Sequence, residues 1–257
     1  MLRPQRIDAI ENYLIQHRVV NLDELCKVFS VSKNTIRRDI DEIHKRGCIR
    51  KIYGGVRVVE KDELMPFTER NKRALDAKKR VAKCAAEFVE DGDIIFVDSG
   101  TTTCHMVDHL KDKTDLTVIT NNLDFIVSAL PHENINIISL SGALNRKTLS
   151  FTGASAANSL ESFNISKAFM ASTGITVEKG ATNYFADEYD VKQAAIRRSQ
   201  KRFLLVDHSK QGVISLRTFA DLSDFDCLVT EAPLPETFRN YLERNACKVV
   251  LVKGDMG

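Results

Sequence analysis

Apolar residues at the start of the chain recur at helical spacing. Ile7, Ile10, Tyr13 and Leu14 predict a helix from about residue 6 to 17 that buries one stripe. Leu22, Leu25, Val28 and Phe29 predict a second, shorter helix, followed by a turn of three to four residues. A third helix starts at Ser32: Thr35, Ile36, Ile40 and Ile43 form its packing stripe, while Lys33, Asn34, Arg37 and Arg38 lie towards the other side. Ser32 suits the N-cap, because its hydroxyl can accept from the free N–H groups of the first turn, and Gly47 suits the left-handed stop. Beyond Gly47 the period shortens. Ile49, Ile52, Val56 and Val58 alternate imperfectly with Arg50, Lys51 and Arg57, and Gly54-Gly55 is a hairpin turn signal. Residues 1–57 thus predict a winged helix-turn-helix.

From 58 to 75 the text is charged, broken by Pro66 and without a sustained apolar face, which predicts a linker. Residues 76–257 form the second predicted domain. Val81, Ala82, Ala85, Phe88 and Val89 mark an amphipathic helix ending before Asp91-Gly92. Short apolar runs at 94–97, 116–120, 135–140, 168–172, 203–207, 227–230 and 249–252 then alternate with helical stretches at 123–130, 154–160, 187–199 and 235–245. A helix through Met106, Val107 and Leu110 follows the first run. This alternation predicts an α/β fold with a mainly parallel sheet.

Charge separates the two predicted domains. Residues 1–57 hold 12 Lys/Arg against 7 Asp/Glu, whereas the remainder holds 25 against 28. The excess of positive charge lies on the part that resembles a DNA reader, as phosphate neutralisation requires. No apolar run approaches a membrane span, and the first residues lack the apolar core of a signal peptide, so a cytoplasmic protein is expected. The six cysteines are scattered without metal-ligand or disulfide spacing, so no metal site is expected.

In parallel sheets ligands bind beyond the carboxyl ends of the strands. Here those ends read Asp98-Ser99-Gly100-Thr101-Thr102-Thr103, Thr120-Asn121-Asn122, Ser141-Gly142-Ala143, Thr173-Gly174 and Asp207-His208-Ser209-Lys210. The first loop leads into a helix whose free N–H groups favour a phosphate, although a strand-to-helix turn needs a cap with or without a ligand. The loop lacks a P-loop's Gly-Lys-Ser/Thr ending, and no G-x-G-x-x-G follows a strand, so no nucleotide cofactor is implied. Cys104 and His105, on the first turn after the loop, read as a packed thiol and a capping or solvated imidazole in preference to a redox or metal pair.

Thr35-Ile36-Arg37-Arg38-Asp39-Ile40, Gly47 and Tyr53-Gly54-Gly55 resemble the signature of the DeoR family of bacterial transcriptional repressors, with Tyr53 where His is frequent. The resemblance continues through D-S-G-T-T, Thr120-Asn121, Ser141-Gly142 and Asp207-His208-Ser209-Lys210. Two departures are Ala143, where Gly is common, and Thr230-Glu231 in place of Thr-Asp. It implies a sensor domain similar in fold to ribose-5-phosphate isomerases and CoA transferases. The implied partners are double-stranded operator DNA and a phosphorylated sugar or sugar-alcohol effector, bound by a homodimer or homotetramer. Ser32, Lys33, Asn34, Thr35, Arg37, Arg38, Arg50, Lys51, Tyr53 and Arg57 would face DNA. Ser99 to Thr103 would hold the phosphate, with Asp98 orienting the loop or meeting a sugar hydroxyl. Gly142 would let backbone approach the ligand, and Lys210, Arg146 and Lys147 would supply charge. Asn121 and Asp207 complete the mouth. Glu188 and Lys192 read as an i,i+4 pair, at the pocket or on the surface. The alternative functions are a sugar-phosphate isomerase or transferase, for which Asp98, Asp187, Glu188 or Asp207 would be the base or nucleophile, and an activator or architectural DNA-binding protein.

Overall fold

A computed structural model describes residues 3–17, 19–45, 49–52, 54–58 and 65–252. The chain divides into two compact units, Met1–Leu64 and Met65–Gly257. The first unit contains α1 (Arg3–His17), β1 (Val19–Asn21), α2 (Leu22–Phe29), α3 (Lys33–Lys45), β2 (Ile49–Ile52) and β3 (Gly55–Val58). Its core joins Ile7, Ile10 and Leu14 of α1, Leu25 of α2 and Ile36, Ile40 and Ile43 of α3 to Val20, Ile49 and Val56 of the wing. The helical stripes read from the sequence therefore meet in one place. Val28 differs, remaining 48% exposed on α2. The wing has three strands in the order β1-β3-β2, because Val19–Asn21 pairs antiparallel with β3. Ile52 pairs with Gly55, so Gly55 already belongs to β3. Gly47, Tyr53 and the side chains of Arg50 and Arg57 lie outside the described residues.

The second unit opens with α4 (Phe67–Lys72) and α5 (Leu75–Ala86). The linker expected over 58–75 is thus ordered in its later part. Phe67 is buried and its N–H donates to the Lys147 carbonyl at 2.8 Å, an anchor that no sequence period discloses. Seven parallel strands follow: β4 (Ile94–Val97), β5 (Leu116–Thr120), β6 (Ile135–Ser139), β9 (Ile165–Ala171), β12 (Ser199–Leu205), β14 (Cys227–Thr230) and β15 (Lys248–Leu251). Their order is β15-β14-β12-β9-β4-β5-β6. Alternate residues of each strand serve opposite faces. Ile95, Val97, Phe169, Phe203, Leu205 and Val229 pack with α5 and α6 (Leu123–Ala129). Phe96, Ala168, Met170, Leu204 and Leu228 pack with α7 (Ala154–Leu160), α8 (Tyr189–Arg198) and α9 (Glu236–Arg244). Burial on both faces explains the unbroken apolar runs.

Five short strands lay outside the periodic reading. β7 (Ala143–Asn145) and β8 (Ser150–Thr152) form a hairpin, and β10 (Gly174–Thr176), β11 (Gly180–Asn183) and β13 (Arg217–Ala220) a small antiparallel sheet. The segment after the Asp98–Thr103 loop is a 3-10 helix, Thr103–His109, where an ordinary helix was expected. Strand order reverses between β4 and β9, since the chain runs outward from β4 through β5 to β6 and from β9 through β12 and β14 to β15. A crevice at the carboxyl ends belongs at that switch point.

Candidate effector site and nucleic-acid interface

In the first unit Ser32 caps α3, its Oγ accepting the Thr35 N–H at 3.3 Å and lying 2.9 Å from Thr35 Oγ1. Lys33, Asn34, Arg37 and Arg38 are exposed. Lys33 reaches Asp23 of α2 at 2.8 Å, and Lys51 pairs with Asp41; both pairs are solvent-facing and cost little to open. Asp39, inside the R-R-D run, points the other way. It is 1% exposed and accepts from Arg6 Nε at 2.7 Å and from Arg3 Nε at 3.4 Å, which ties α3 to the start of α1. Arg38 borders a groove lined also by Arg3, Arg6, Thr35, Asp39, Asp41 and Glu42.

The Asp98–Thr103 turn leaves β4 at the switch point, and all six residues are buried. Asp98 is fully buried. Its Oδ2 accepts the Ala171 N–H at 2.9 Å, across to β9, and pairs with Lys192, whose ammonium also donates to the Ala171 carbonyl at 2.9 Å. Asp98 therefore orients the loop. Thr103 is a structural member of the turn: its hydroxyl donates to Asp98 O at 2.6 Å and accepts the Gly100 N–H at 3.1 Å, so that hydroxyl is already engaged. Gly100 meets a packing demand, for a Cβ there would lie 2.2 Å from Ala171 Cβ. Asn122 Nδ2 reaches the Asp98 and Gly100 carbonyls, both at 3.3 Å. Among the described residues, the hydroxyls of Thr101 and Thr102 and the N–H groups of Ser99, Thr101 and Thr102 meet no acceptor or donor within hydrogen-bond distance. Unengaged main-chain N–H groups on a turn of this kind favour an anion.

Glu188 and Lys192 are both buried but do not pair with each other. Glu188 lies in a 3-10 turn, Ala186–Glu188, before α8, so helical spacing does not apply to it. Its Oε1 accepts from Ser99 Oγ at 3.2 Å and Ser150 Oγ at 3.0 Å, and its Oε2 from Asn183 Nδ2 at 2.7 Å. Asp187 accepts from Thr152 Oγ1 at 3.1 Å and Asn145 Nδ2 at 3.2 Å. The hairpin and the small antiparallel sheet thus close on the loop.

Asn121 and Asp207 sit buried beyond β5 and β12. Asn121 Nδ2 donates to Phe151 O at 3.2 Å, and Asp207 Oδ1 accepts the Ser209 N–H at 2.9 Å. Asp98 Oδ1, Asn121 Oδ1 and Asp207 Oδ2 are buried acceptors with no donor. Gly142 has a φ of +124°, and a Cβ would fall 2.4 Å from the Thr152 carbonyl, so hairpin packing also requires glycine there. Arg146 and Lys147 are exposed between β7 and β8.

Two cations missed by the sequence reading, Arg70 and Lys78, lie on α4 and α5. Arg70 of α4 donates from Nε to the Met65 carbonyl at 3.2 Å, and the Lys78 ammonium donates to the Arg70 carbonyl. Burial lowers the pKa of both, and Lys78 reaches about 8. Lys210, half-buried, is lowered for the same reason. Pro66 before Phe67 was the available signal for α4, as a helix N-terminus, but six residues are too few to show a period. Cys104 is buried with its thiol pKa raised by that burial, so it is inert, and His105 Nε2 lies 2.8 Å from Asn71 Oδ1. Among the described residues no His, Cys, Asp or Glu group could hold a metal ion, and no helix is long and apolar enough to cross a membrane.

Comparison with known proteins matches residues 6–62 to the DeoR-like helix-turn-helix domain and residues 73–232 to the DeoR C terminal sensor domain. The HTH-type transcriptional regulator IolR of Bacillus subtilis is 42% identical over 240 residues, covering 93% of this chain and 96% of the relative. The HTH-type transcriptional repressor GlcR of the same organism is 29% identical over 258 residues, covering 100% and 99%. The glycerol-3-phosphate regulon repressor of Escherichia coli is 28% identical over 235 residues, covering 91% and 93%. A D-ribose-5-phosphate isomerase solved with phospho-erythronic acid overlaps 53% of this chain and 54% of its own at 19% identity and a TM-score of 0.41. With both domain models matched in order along the chain, and a relative of near-equal length above two-fifths identity, this protein belongs to the DeoR family of helix-turn-helix transcriptional regulators.

Proposed function

We propose that this chain is a repressor of a carbohydrate catabolic operon, released from its operator by a phosphorylated sugar or sugar alcohol. The observation that carries the reading is the switch-point turn, Asp98–Thr103. It offers the unengaged N–H groups and hydroxyls of Thr101 and Thr102 beside three buried, donor-less acceptors, Asp98 Oδ1, Asn121 Oδ1 and Asp207 Oδ2. Buried polar atoms of that kind are costly unless something meets them. A ligand with one anionic end and several hydroxyls answers both sets. Relatives named as a repressor and as a glycerol-3-phosphate regulon repressor support the same reading.

On the DNA side, a homodimer or homotetramer presents two copies of α3 to successive major grooves. Lys33, Asn34, Arg37 or Arg38 reads base edges and Lys51 meets phosphate; Arg50 and Arg57, expected on phosphates as well, have side chains outside the described residues. Release requires the effector to prefer the arrangement that does not bind DNA.

The test is a thermal-shift screen of the full chain against phosphorylated pentoses, hexoses and hexitols and their unphosphorylated parents, followed by gel shifts on DNA upstream of the neighbouring genes. Stabilisation by a phosphorylated compound that also frees the DNA is expected. Turnover of the compound to a product, or stabilisation by the parents alone, overturns the reading.

A further inference from the structure

Arg70, Lys78 and Lys210 lie within electrostatic reach of one another, and among the described residues no carboxylate is in hydrogen-bond contact with any of them. Arg70 comes from α4, Lys78 from α5 and Lys210 from the 3-10 turn His208–Lys210 that follows β12. Their hydrogen bonds within the described residues go to main-chain carbonyls: Arg70 Nε to Met65 O at 3.2 Å and Lys78 Nζ to Arg70 O, with no side-chain acceptor for Lys210. Lys78 is 2% exposed. A buried cation is normally paired, whereas Lys78 is instead repelled by Arg70 and Lys210, both half-buried. Of the nearby carboxylates, Asp98 pairs through Oδ2 with Lys192 and Glu188 accepts from three neutral donors, while Asp98 Oδ1 and Asp207 Oδ2 meet no donor. Asn71, next to Arg70, lies 2.8 Å from His105 just beyond the turn, the Lys78 ammonium bonds the Arg70 carbonyl, and the Lys210 N–H donates to the Asp207 carbonyl at 3.0 Å; Lys78 is within electrostatic reach of both Arg70 and Lys210.

We propose that Arg70, Lys78 and Lys210 form the phosphate-binding part of the effector site, so that bound phosphate clasps α4 onto the sensor unit. The inference deepens the reading above and rests on it, moving the main charge contact from the threonine hydroxyls to side chains that come largely from the start of the second unit. Arg70 carries a planar fork whose terminal nitrogens meet no acceptor among the described residues, and Lys78 and Lys210 act as point charges. The unengaged N–H groups of Thr101 and Thr102 complete the shell. α4 is the first helix after the segment joining the two units, and it ends against Ala74, held at a φ of +48°.

Inorganic phosphate is the probe. Added to the full chain at pH 7, it should raise the melting midpoint as RT ln(1 + [L]/Kd) requires and slow hydrogen exchange of the amides of residues 67–72. R70Q and K78Q should each weaken phosphate by about tenfold or more, R70K less, and K111Q, at an exposed lysine away from the site, not at all. R70K guards against a folding defect, since it keeps the charge and the main-chain carbonyl that Lys78 uses. If the wild type responds to phosphate but R70Q and K78Q respond equally, the clasp is wrong while the effector reading stands. If neither phosphate nor any sugar phosphate shifts the wild type, both fail.

Discussion

Lys192 and Asp98 form an ion pair beneath the switch-point turn with essentially no access to water, at 3% and 0% exposure. The pair joins α8 to the end of β4, and through the Ala171 N–H and C=O it also holds the end of β9. Removing one partner of a buried pair leaves an uncompensated charge, which costs about 3–5 kcal/mol. K192M should lose that much in urea unfolding, and D98N/K192M should recover part of it, because Asn keeps an acceptor for Ala171 without the charge. A loss below about 1 kcal/mol in K192M would mean that the turn is anchored elsewhere.

Arg37 and Arg38 are exposed on α3, whereas the neighbouring Asp39 turns inward to Arg6. R37A and R38A should each weaken operator binding by about 1–3 kcal/mol where the side chain reads a base, or flatten the salt dependence by about one unit where it meets a phosphate. The phosphate-induced melting shift should be unchanged in both, as the two properties reside in separate units. Gel shifts at two salt concentrations decide between the roles. Unaltered affinity in both variants refutes the assignment of α3.

The elements legible in the sequence are those whose periods are long or whose apolar runs are bounded by turn residues. β4, β5 and β14 fall where the runs at 94–97, 116–120 and 227–230 placed them, since both faces of those strands are buried. The stripe of Ile36, Ile40 and Ile43 was equally plain. β7, β8, β10 and β11 are three or four residues long and rich in Gly, Ser, Thr and Asn, so a period of two has no room to show. The site suffered from the same cause. Asp98, Asn121 and Asp207 follow directly from strand ends, but Arg70 sits on a six-residue helix in a charged stretch that reads as a linker. Glu188 and Lys192 have i,i+4 spacing, yet the acid precedes the helix and the two serve different partners. Spacing identifies neighbours only where the element is continuous.

Lys78 titrates near neutrality. Burial is the main cause that brings it from 10.5 to about 8, with Lys210 and Arg70 pushing the same way and Asp207 and Cys104 opposing. Between those two values the unfolded chain binds more protons at this residue than the folded one, so its contribution to stability rises with pH through that window. Below pH 8 the buried charge exerts its full penalty. Melting curves without ligand should therefore gain stability from pH 7.5 to 9.5 relative to K78M, in which this dependence is absent. With inorganic phosphate the trend reverses: the stabilising shift should shrink above about pH 8 as the ammonium is lost. A shift independent of pH in the wild type would remove Lys78 from the anion site.

Glu188 is buried among three donors and is within electrostatic reach of Arg70, so its charge and its shape are separable. In E188Q the amide oxygen can take the Asn183 N–H while the Ser99 and Ser150 hydroxyls rotate to accept from the amide nitrogen, so the cost in stability should stay within about 1 kcal/mol. E188L orphans all three donors and should cost about 1–3 kcal/mol for each that finds no water. Phosphate binding moves the opposite way in E188Q. Loss of a negative charge near the cations should strengthen it by roughly 1 kcal/mol, about fivefold in Kd. Titration calorimetry of wild type and E188Q with inorganic phosphate measures this directly. Weaker binding in E188Q would instead identify Glu188 as an acceptor for a protonated phosphate oxygen or for the ligand's hydroxyl.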